Sequence, residues 1–544
     1  MNIKSFLLFL LIAISLFSCT EKQHVEQIIF ARGIYTMDSS NSVVQSVAIS
    51  GDQIVAVGSR RLIERQYEAD TTFDFGDHYI YPGFVDAHCH FLAYGIDKAE
   101  LDLKDAMSFD DMVQKVTDFG ASHPGQIVIG RGWNEENWEM KTRPSNYKLN
   151  FLFPNTPVVL QRIDGHSVLA NQAAFEMAGI DPAEEIQGGL IEVINGIPTR
   201  FLVDKAAERV LDALPEQTDA GLAKALLQAQ EDCFKVGLTT VSDAGLKIRE
   251  IKVIDSLHKA GELNMRIYAM ADPNREELEA YCPDGPKVND KLILRSVKLY
   301  CDGSLGSRSA WLKEPYCDDT LNQGLPQQEM SYYTEWAAWC MNNGFQVNTH
   351  CIGNQANKEL LQIYGDVLNG EKGRRWRIEH AQIVDPTDMA MFSEYDVIPS
   401  VQPTHAVSDM YMAKKRLCTD ERLEGAYAYH DLLQKTGLIA LGTDFPVEDI
   451  DPLGTFYSAT LRSNEKRDVF RPDQKLDAIS TIKGMTIDAA YANFMEDKVG
   501  SLEPGKKADL VVLSKDLVQS RTRGEAKVIG TMSDAKWQYL SPIR

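Results

Sequence analysis

The chain has 544 residues, 44% of them hydrophobic and 25% charged, with a formal charge of −22. At roughly 100–200 residues per domain, this length implies several domains or one large barrel with attachments. The ordinary composition excludes general disorder, and the acidity excludes a nucleic-acid partner, whose phosphates need a basic face. Nine cysteines with no C-x-x-C pair are too sparse for a disulfide scaffold and exclude a zinc ribbon or thioredoxin-type motif.

In chain order, residues 1–18 read as an export signal: Lys4, an apolar run from Phe6 to Phe17, then Ser18. That run falls short of the ~20 residues a spanning helix needs. The tetrad Leu16-Phe17-Ser18-Cys19 resembles a bacterial lipobox, which implies lipidation of Cys19 and a protein tethered at the periplasmic face or the outer membrane. The bland alternative is an uncleaved anchor. Residues 25–80 carry short strand patterns at Gln27–Ala31, Ser46–Ser50 and Gln53–Val57, with Gly51-Asp52 as a hairpin turn. Similar patterns recur at Asp509–Ser514 and Ala526–Gly530, within 496–544. The two ends therefore predict one small β-sandwich domain flanking a middle at 81–495.

The middle alternates strand-like and helical periods, the signature of parallel βα units. Candidate strands are Gly83–His88, Thr239–Asp243, Arg266–Met270, Ser296–Tyr300, Gln346–His350, Arg375–His380, Val397–Gln402 and Leu438–Asp444. Eight such units predict an α/β fold, a (β/α)₈ TIM barrel. The gap after the first strand predicts an insertion at about 100–230, with strands Ile127–Arg131 and Val158–Arg162 and a helix near Leu169–Ala178.

Seven titratable side chains end these strands or follow them closely. His88 and His90 share one strand face at i and i+2, so both imidazoles can reach one metal. Lys298 lies in an apolar strand and needs a partner there. His350, His380, His405 and Asp444 follow. Each alone has a structural explanation: a satisfied semi-buried histidine, a solvated lysine, a helix-capping aspartate. Together, at the C-terminal ends of barrel strands, they mark the place where active sites are built, and their chemistry suits Zn²⁺ or a related divalent ion.

This order resembles the amidohydrolase superfamily, and the frames YPGFVDAHCH and GSLEPGKKADL strengthen the likeness. GRGWN, DGHSVLAN, VKLYCDGSLGSRSA and GTDFPVE narrow it to amidohydrolase family 3, the group of YtcJ-like proteins and N-substituted formamide deformylase. The resemblance implies two divalent metal ions, zinc foremost, with manganese or iron as substitutes. His88, His90 and Asp444 would hold the first, His350 and His380 the second, and Lys298 would bridge both as a CO₂-derived carbamate. The rival is a single-metal site with Lys298 unmodified and His380 acting on substrate. Asp444 would be the acid–base catalyst in hydrolysing a non-peptide carbon–nitrogen bond of a small amide. Other readings are a mononuclear deaminase, against which Lys298 speaks, and a lipid-anchored solute-binding protein.

The resemblance also puts Trp133, Asn134 and His166 above the site, although core packing explains Trp133 equally well. Arg308 could bind a substrate carboxylate, or instead pair with Asp302 or Glu314. His405 could hydrogen-bond an oxyanion. Relatives commonly carry Gly after Pro-Thr and a Glu a few residues on; here Arg200 and Asp204 stand near those places. The sequence leaves oligomeric state open, a homodimer included, along with the substrate, the metal and the pairing of the other cysteines.

Overall fold

The computed structural model describes residues 22–542 apart from 99, 142, 182, 183, 195 and 196. The signal segment and Cys19 lie outside the described residues. Among the described residues, no helix is long and apolar enough to cross a membrane.

The centre is a parallel barrel of eight strands: β1 (Phe84–Cys89), β2 (Leu238–Leu246), β3 (Arg266–Ala271), β4 (Leu292–Tyr300), β5 (Gln346–Cys351), β6 (Arg377–His380), β7 (Ile398–Val401) and β8 (Ala440–Leu441). Neighbours in sequence are neighbours in the sheet, as βαβ crossovers require. Most are buried along their whole length, which explains their near-continuous apolar runs. Between β8 and β1 the seam is carried by Asp444 N–H to His88 O at 2.8 Å and His90 N–H to Phe445 O at 2.8 Å. A side chain at Gly442 would press within 2.6 Å of the His88 nitrogen, so only glycine permits this approach.

Helices such as Met330–Asn343 and Asn354–Leu368 pack apolar faces on the barrel's outside, around Trp336, Leu360, Leu361 and Trp376. Polar side chains are buried among the barrel strands beside apolar ones, Arg377 lying over the Tyr268 ring. The buried Arg377 guanidinium donates to Ala87 O, Ala492 O and Asn493 Oδ1, tying the first strand to the segment that closes the barrel floor.

Both chain ends join one sheet of eight strands around a core of Ile29, Ile34, Val47, Leu510 and Val512. Its central junction pairs Tyr79–Pro82 with Leu510–Leu513 in antiparallel register. The expected strands are all present, most of them longer, with the hairpin at Gly51-Asp52. The insertion folds as its own six-stranded sheet. One expectation needs correcting there: the helix begins at Gln172, and Ser167–Ala170 is a strand paired with Val158–Arg162. A four-residue apolar stretch fits either period, and pairing decides it.

Cys317, after β4, is disulfide-bonded to Cys418, after β7. The other described cysteines are buried thiols. Beside this bridge the buried Arg416 reaches Leu305 O, Gly306 O, Asp318 and Glu136, fastening the loops after β4 and β7 to the insertion.

Candidate metal centre and active site

The C-terminal ends of the strands open into a cavity of about 1280 Å³, bounded by barrel loops and the insertion. His90, Lys298, His350, His380, His405, Asp444 and His166 line it. Two backbones there are strained: His380 has φ 73° and Asp444 φ 61°, both unusual for residues with a side chain.

Each imidazole has a partner on its outer nitrogen. His88 Nδ1 lies 2.6 Å from Glu379 Oε2, His90 Nδ1 3.0 Å from Ala244 O, and His380 Nδ1 2.7 Å from Gln402 Oε1. These partners only accept, so Nδ1 carries the hydrogen and the Nε2 lone pair faces inward. His350 is reversed: its Nε2 approaches Gly303 O at 3.4 Å, leaving Nδ1 as the free nitrogen. Burial pushes the pKa of His88 down and those of His350 and His380 well below the ordinary histidine value, assisted by Lys298 and by neighbouring imidazoles. The rings are therefore neutral donors. Ring centres of His88 and His380 lie 4.8 Å apart, and those of His350 and His380 4.5 Å apart.

Asp444 is the convergent acid. Its Oδ1 lies 3.4 Å from His90 Nε2 and 3.6 Å from His88 Nε2, and it is buried without a hydrogen bond. Oδ2 accepts from His405 Nε2 at 3.2 Å. Burial alone would raise its pKa, but His405, His90 and the other rings hold it well below the usual carboxylate range. His405 is pushed the other way despite burial, because Asp444 and Glu448 flank its two nitrogens.

Two inward lone pairs facing an orphaned carboxylate oxygen repel one another. A cation among them, or a proton on a ring, relieves that repulsion. The donor set of three imidazoles and carboxylate thus fits a divalent ion; His88, His380 and Asp444 offer atoms all within 4.8 Å of one another. Lys298 Nζ sits 3.2 Å from His88 Nε2 and 4.7 Å from the centre of the Tyr300 ring. No carboxylate among the described residues forms an ion pair with it, and burial pushes its pKa down to about 8.

His166 reaches the site from the insertion, its Nδ1 2.8 Å from Asp204 Oδ1 and its ring 4.9 Å from that of His350. Two expected site residues are placed elsewhere. Trp133 is wholly buried in the core of the insertion against Trp138 and Phe201, with its indole N–H satisfied by Leu160 O. Its neighbour Asn134 does line the cavity. Arg308 pairs with Asp318, not Asp302 or Glu314, and stays off the cavity wall. Asp302 instead accepts backbone N–H groups of Trp311, Ile352 and Gly353.

Sequence reasoning missed Glu379, Gln402 and Glu448, which orient the ring nitrogens. Glu379 directly precedes His380, so along a strand its side chain faces the opposite way; only the fold shows that it meets His88.

Over residues 71–535 the chain matches the profile described as amidohydrolase family. It is 31% identical to protein LONG AFTER FAR-RED 3 of Arabidopsis thaliana, covering 93% of this chain and 90% of that protein. It is 30% identical to putative amidohydrolase YtcJ of Bacillus subtilis, covering 89% and 93% respectively. It is 24% identical to N-substituted formamide deformylase of Arthrobacter pascens, covering 93% and 97%. An uncharacterized metal-dependent hydrolase from Pyrococcus horikoshii shares the fold, with a TM-score of 0.74, 24% identity and coverage of 91% and 98%. With its site on the C-terminal ends of a parallel barrel, this chain belongs to the amidohydrolase family.

Proposed function

We propose that this chain hydrolyses a non-peptide carbon–nitrogen bond in a small amide, giving a carboxylate and an amine, with a divalent metal centre. The observation that carries this reading is the convergence of the His88 and His90 Nε2 atoms on the orphaned Oδ1 of Asp444. His88, His90 and Asp444 would hold one ion, His350 and His380 a second, with zinc foremost and manganese or iron as substitutes. When bound, such an ion lowers the pKa of water from ~15.7 to about 7.

The chain's own residues do the rest. Asp444, held ionised at the cavity floor, accepts a proton from the attacking water and returns it to the departing nitrogen. Such transfer contributes roughly 10²–10⁴-fold. Lys298, once its neutral amine had captured CO₂ as a carbamate, would add an anionic ligand to this set. Carbamate formation needs a neutral amine, and an amine of pKa about 8, with no carboxylate ion-paired to it among the described residues, supplies far more of it at neutral pH than a solvated lysine does. His166, carried by the insertion, faces the substrate space from above. N-substituted formamide deformylase, a relative by sequence, makes formamides the first compounds to try.

The protein is further read as an exported lipoprotein attached through Cys19. The Cys317–Cys418 bond supports that location, since disulfides persist outside the reducing cytosol.

The test is a hydrolysis screen of N-substituted formamides, N-acyl amines and cyclic amides on metal-analysed protein, with Asp444→Asn in parallel. Turnover should vanish on exhaustive chelation, return with Zn²⁺ or Mn²⁺, and fall ~10²-fold or more in Asp444→Asn. Full turnover after verified chelation refutes the metal reading, and an Asp444→Asn rate within about threefold of the parent refutes the acid–base role.

A further inference from the structure

The two oxygens of Asp444 are not equivalent. Oδ1 faces the His88 and His90 nitrogens, whereas Oδ2 is taken by His405 Nε2 at 3.2 Å. His405 is itself gripped from behind, its Nδ1 lying 3.1 Å from Glu448 Oε1. Glu448 also accepts from Ser408 Oγ, so its carboxylate is tied to the turn that carries His405. The chain from Asp444 to Glu448 is a tight turn, closed by Val447 N–H to Asp444 O at 2.9 Å. His405 is 8% exposed, so this chain of contacts runs along the buried wall of the cavity.

We propose that Glu448 and His405 form a positioning pair that fixes which oxygen of Asp444 is presented to the metal ligands. The terminal torsion of an aspartate is broad and roughly two-fold, so its own rotamer preference does not choose between the oxygens. The bond from His405 chooses, and Glu448 holds His405 in the orientation that makes it. Outer partners of this kind order a ligand before the ion arrives, and their loss typically lowers metal affinity about 10–100-fold. Among the described residues, the hydrogen bonds of Glu448 go to His405 and Ser408 and not to a candidate metal ligand, so it reaches Asp444 through the turn that carries His405. This inference rests on the proposed metal centre and adds to it the residue that orients its carboxylate.

The experiment is Zn²⁺ affinity by chelator competition on full-length wild type, Glu448→Ala, Glu448→Gln, His405→Asn and the double variant Glu448→Ala/His405→Asn. Melting of each metal-free protein is the control for folding. Glu448→Ala should bind Zn²⁺ about 10–100-fold more weakly, while Glu448→Gln, which keeps an acceptor for His405 Nδ1, should stay within about threefold of wild type. The double variant should bind no more weakly than the worse single one, because both remove the same restraint. Should Glu448→Ala fail to fold, Glu448→Gln and His405→Asn still decide: Gln near wild type with Asn impaired upholds the pair. Equal affinity in wild type, Glu448→Ala and His405→Asn overturns it, as does a fully additive loss in the double variant. Wild-type protein that takes up no Zn²⁺ overturns the metal centre itself, and this pair with it.

Discussion

Replacing Lys298 with methionine should stabilise the metal-free protein while disabling its site. The lysine is buried on β4, and burial pushes its pKa down to about 8 from 10.5 even though Glu379, Asp444 and Asp272 pull it up. The unfolded chain therefore holds this proton more tightly than the folded one, and the charge opposes folding. Below pH 8 both states are protonated and the penalty is complete. Between pH 8 and 10.5 only the unfolded chain stays protonated, and the penalty fades as pH rises. At about 1.36 kcal/mol per pKa unit, the penalty is roughly 3 kcal/mol at pH 7 and roughly 1 kcal/mol at pH 9.5. Methionine has a similar length and no charge, so Lys298→Met should gain close to these amounts without opening a cavity. Urea unfolding of chelated proteins at the two pH values reads the difference, and metal analysis of untreated samples reads the loss of the site. A variant less stable than the parent at pH 7, or a gain of equal size at both pH values, would refute the reasoning. The expected result is a stability–function trade, with a destabilising lysine kept for chemistry.

Three further outcomes follow from the geometry. Glu379→Ala should weaken Zn²⁺ binding about 10–100-fold, because it removes the acceptor that orients His88 from 2.6 Å; affinity unchanged in chelator competition would remove that role. Reducing Cys317–Cys418, or replacing both with serine, should lower stability by up to about 4.7 kcal/mol, the chain-entropy value for a bridge spanning 101 positions, and an unchanged denaturation midpoint would contradict it. Cys19→Ser should move the protein from membrane to soluble or uncleaved fractions with its hydrolase centre intact. Wild-type protein wholly in the cytoplasmic fraction with an unmodified Met1 would dispose of the lipoprotein reading.

The barrel was readable because each of its strands is a short buried run bounded by polar loops, and the repeat of such runs leaves few alternatives. The ligand candidates were readable for a related reason: a histidine or lysine at the end of an apolar run has little to do there unless it meets a partner. The insertion was less transparent. Of its six strands two were expected, since Ser167–Ala170 is too short to show a period and the hairpin of Gly189–Ile194 with Ile197–Asp204 is defined by pairing. Trp133 shows a harder limit. A large aromatic after a strand can face a cavity or fill a core, and the choice depends on Trp138 and Phe201, which local pattern does not place. Arg308 likewise depends on Asp318, ten positions along a loop whose course is set by the bridge to Cys418 and by Arg416.

The residues least visible in the sequence are those that give the visible ones their chemistry. A histidine becomes a metal donor only when it is neutral and when its lone pair points inward. Burial supplies neutrality for His88, His350 and His380. Direction is supplied from other strands: Glu379 on β6 acts on His88 of β1 across 291 positions, Ala244 at the end of β2 on His90, and Gln402 after β7 on His380. These contacts exist only once the sheet has nearly closed, so the barrel and the donor set form together. The seam shows this most directly. Asp86 of β1 accepts from the Thr443 hydroxyl at 2.6 Å and from the His88 backbone N–H at 3.1 Å, joining the strand that carries two imidazoles to the turn that carries Asp444. Closing the barrel at that point brings a carboxylate oxygen against the Nε2 atoms of His88 and His90, a repulsion that a proton on a ring or a bound cation relieves. A metal ion bound at this candidate site would offset part of that cost, as the chemistry proposed for Lys298 would offset the burial of its charge.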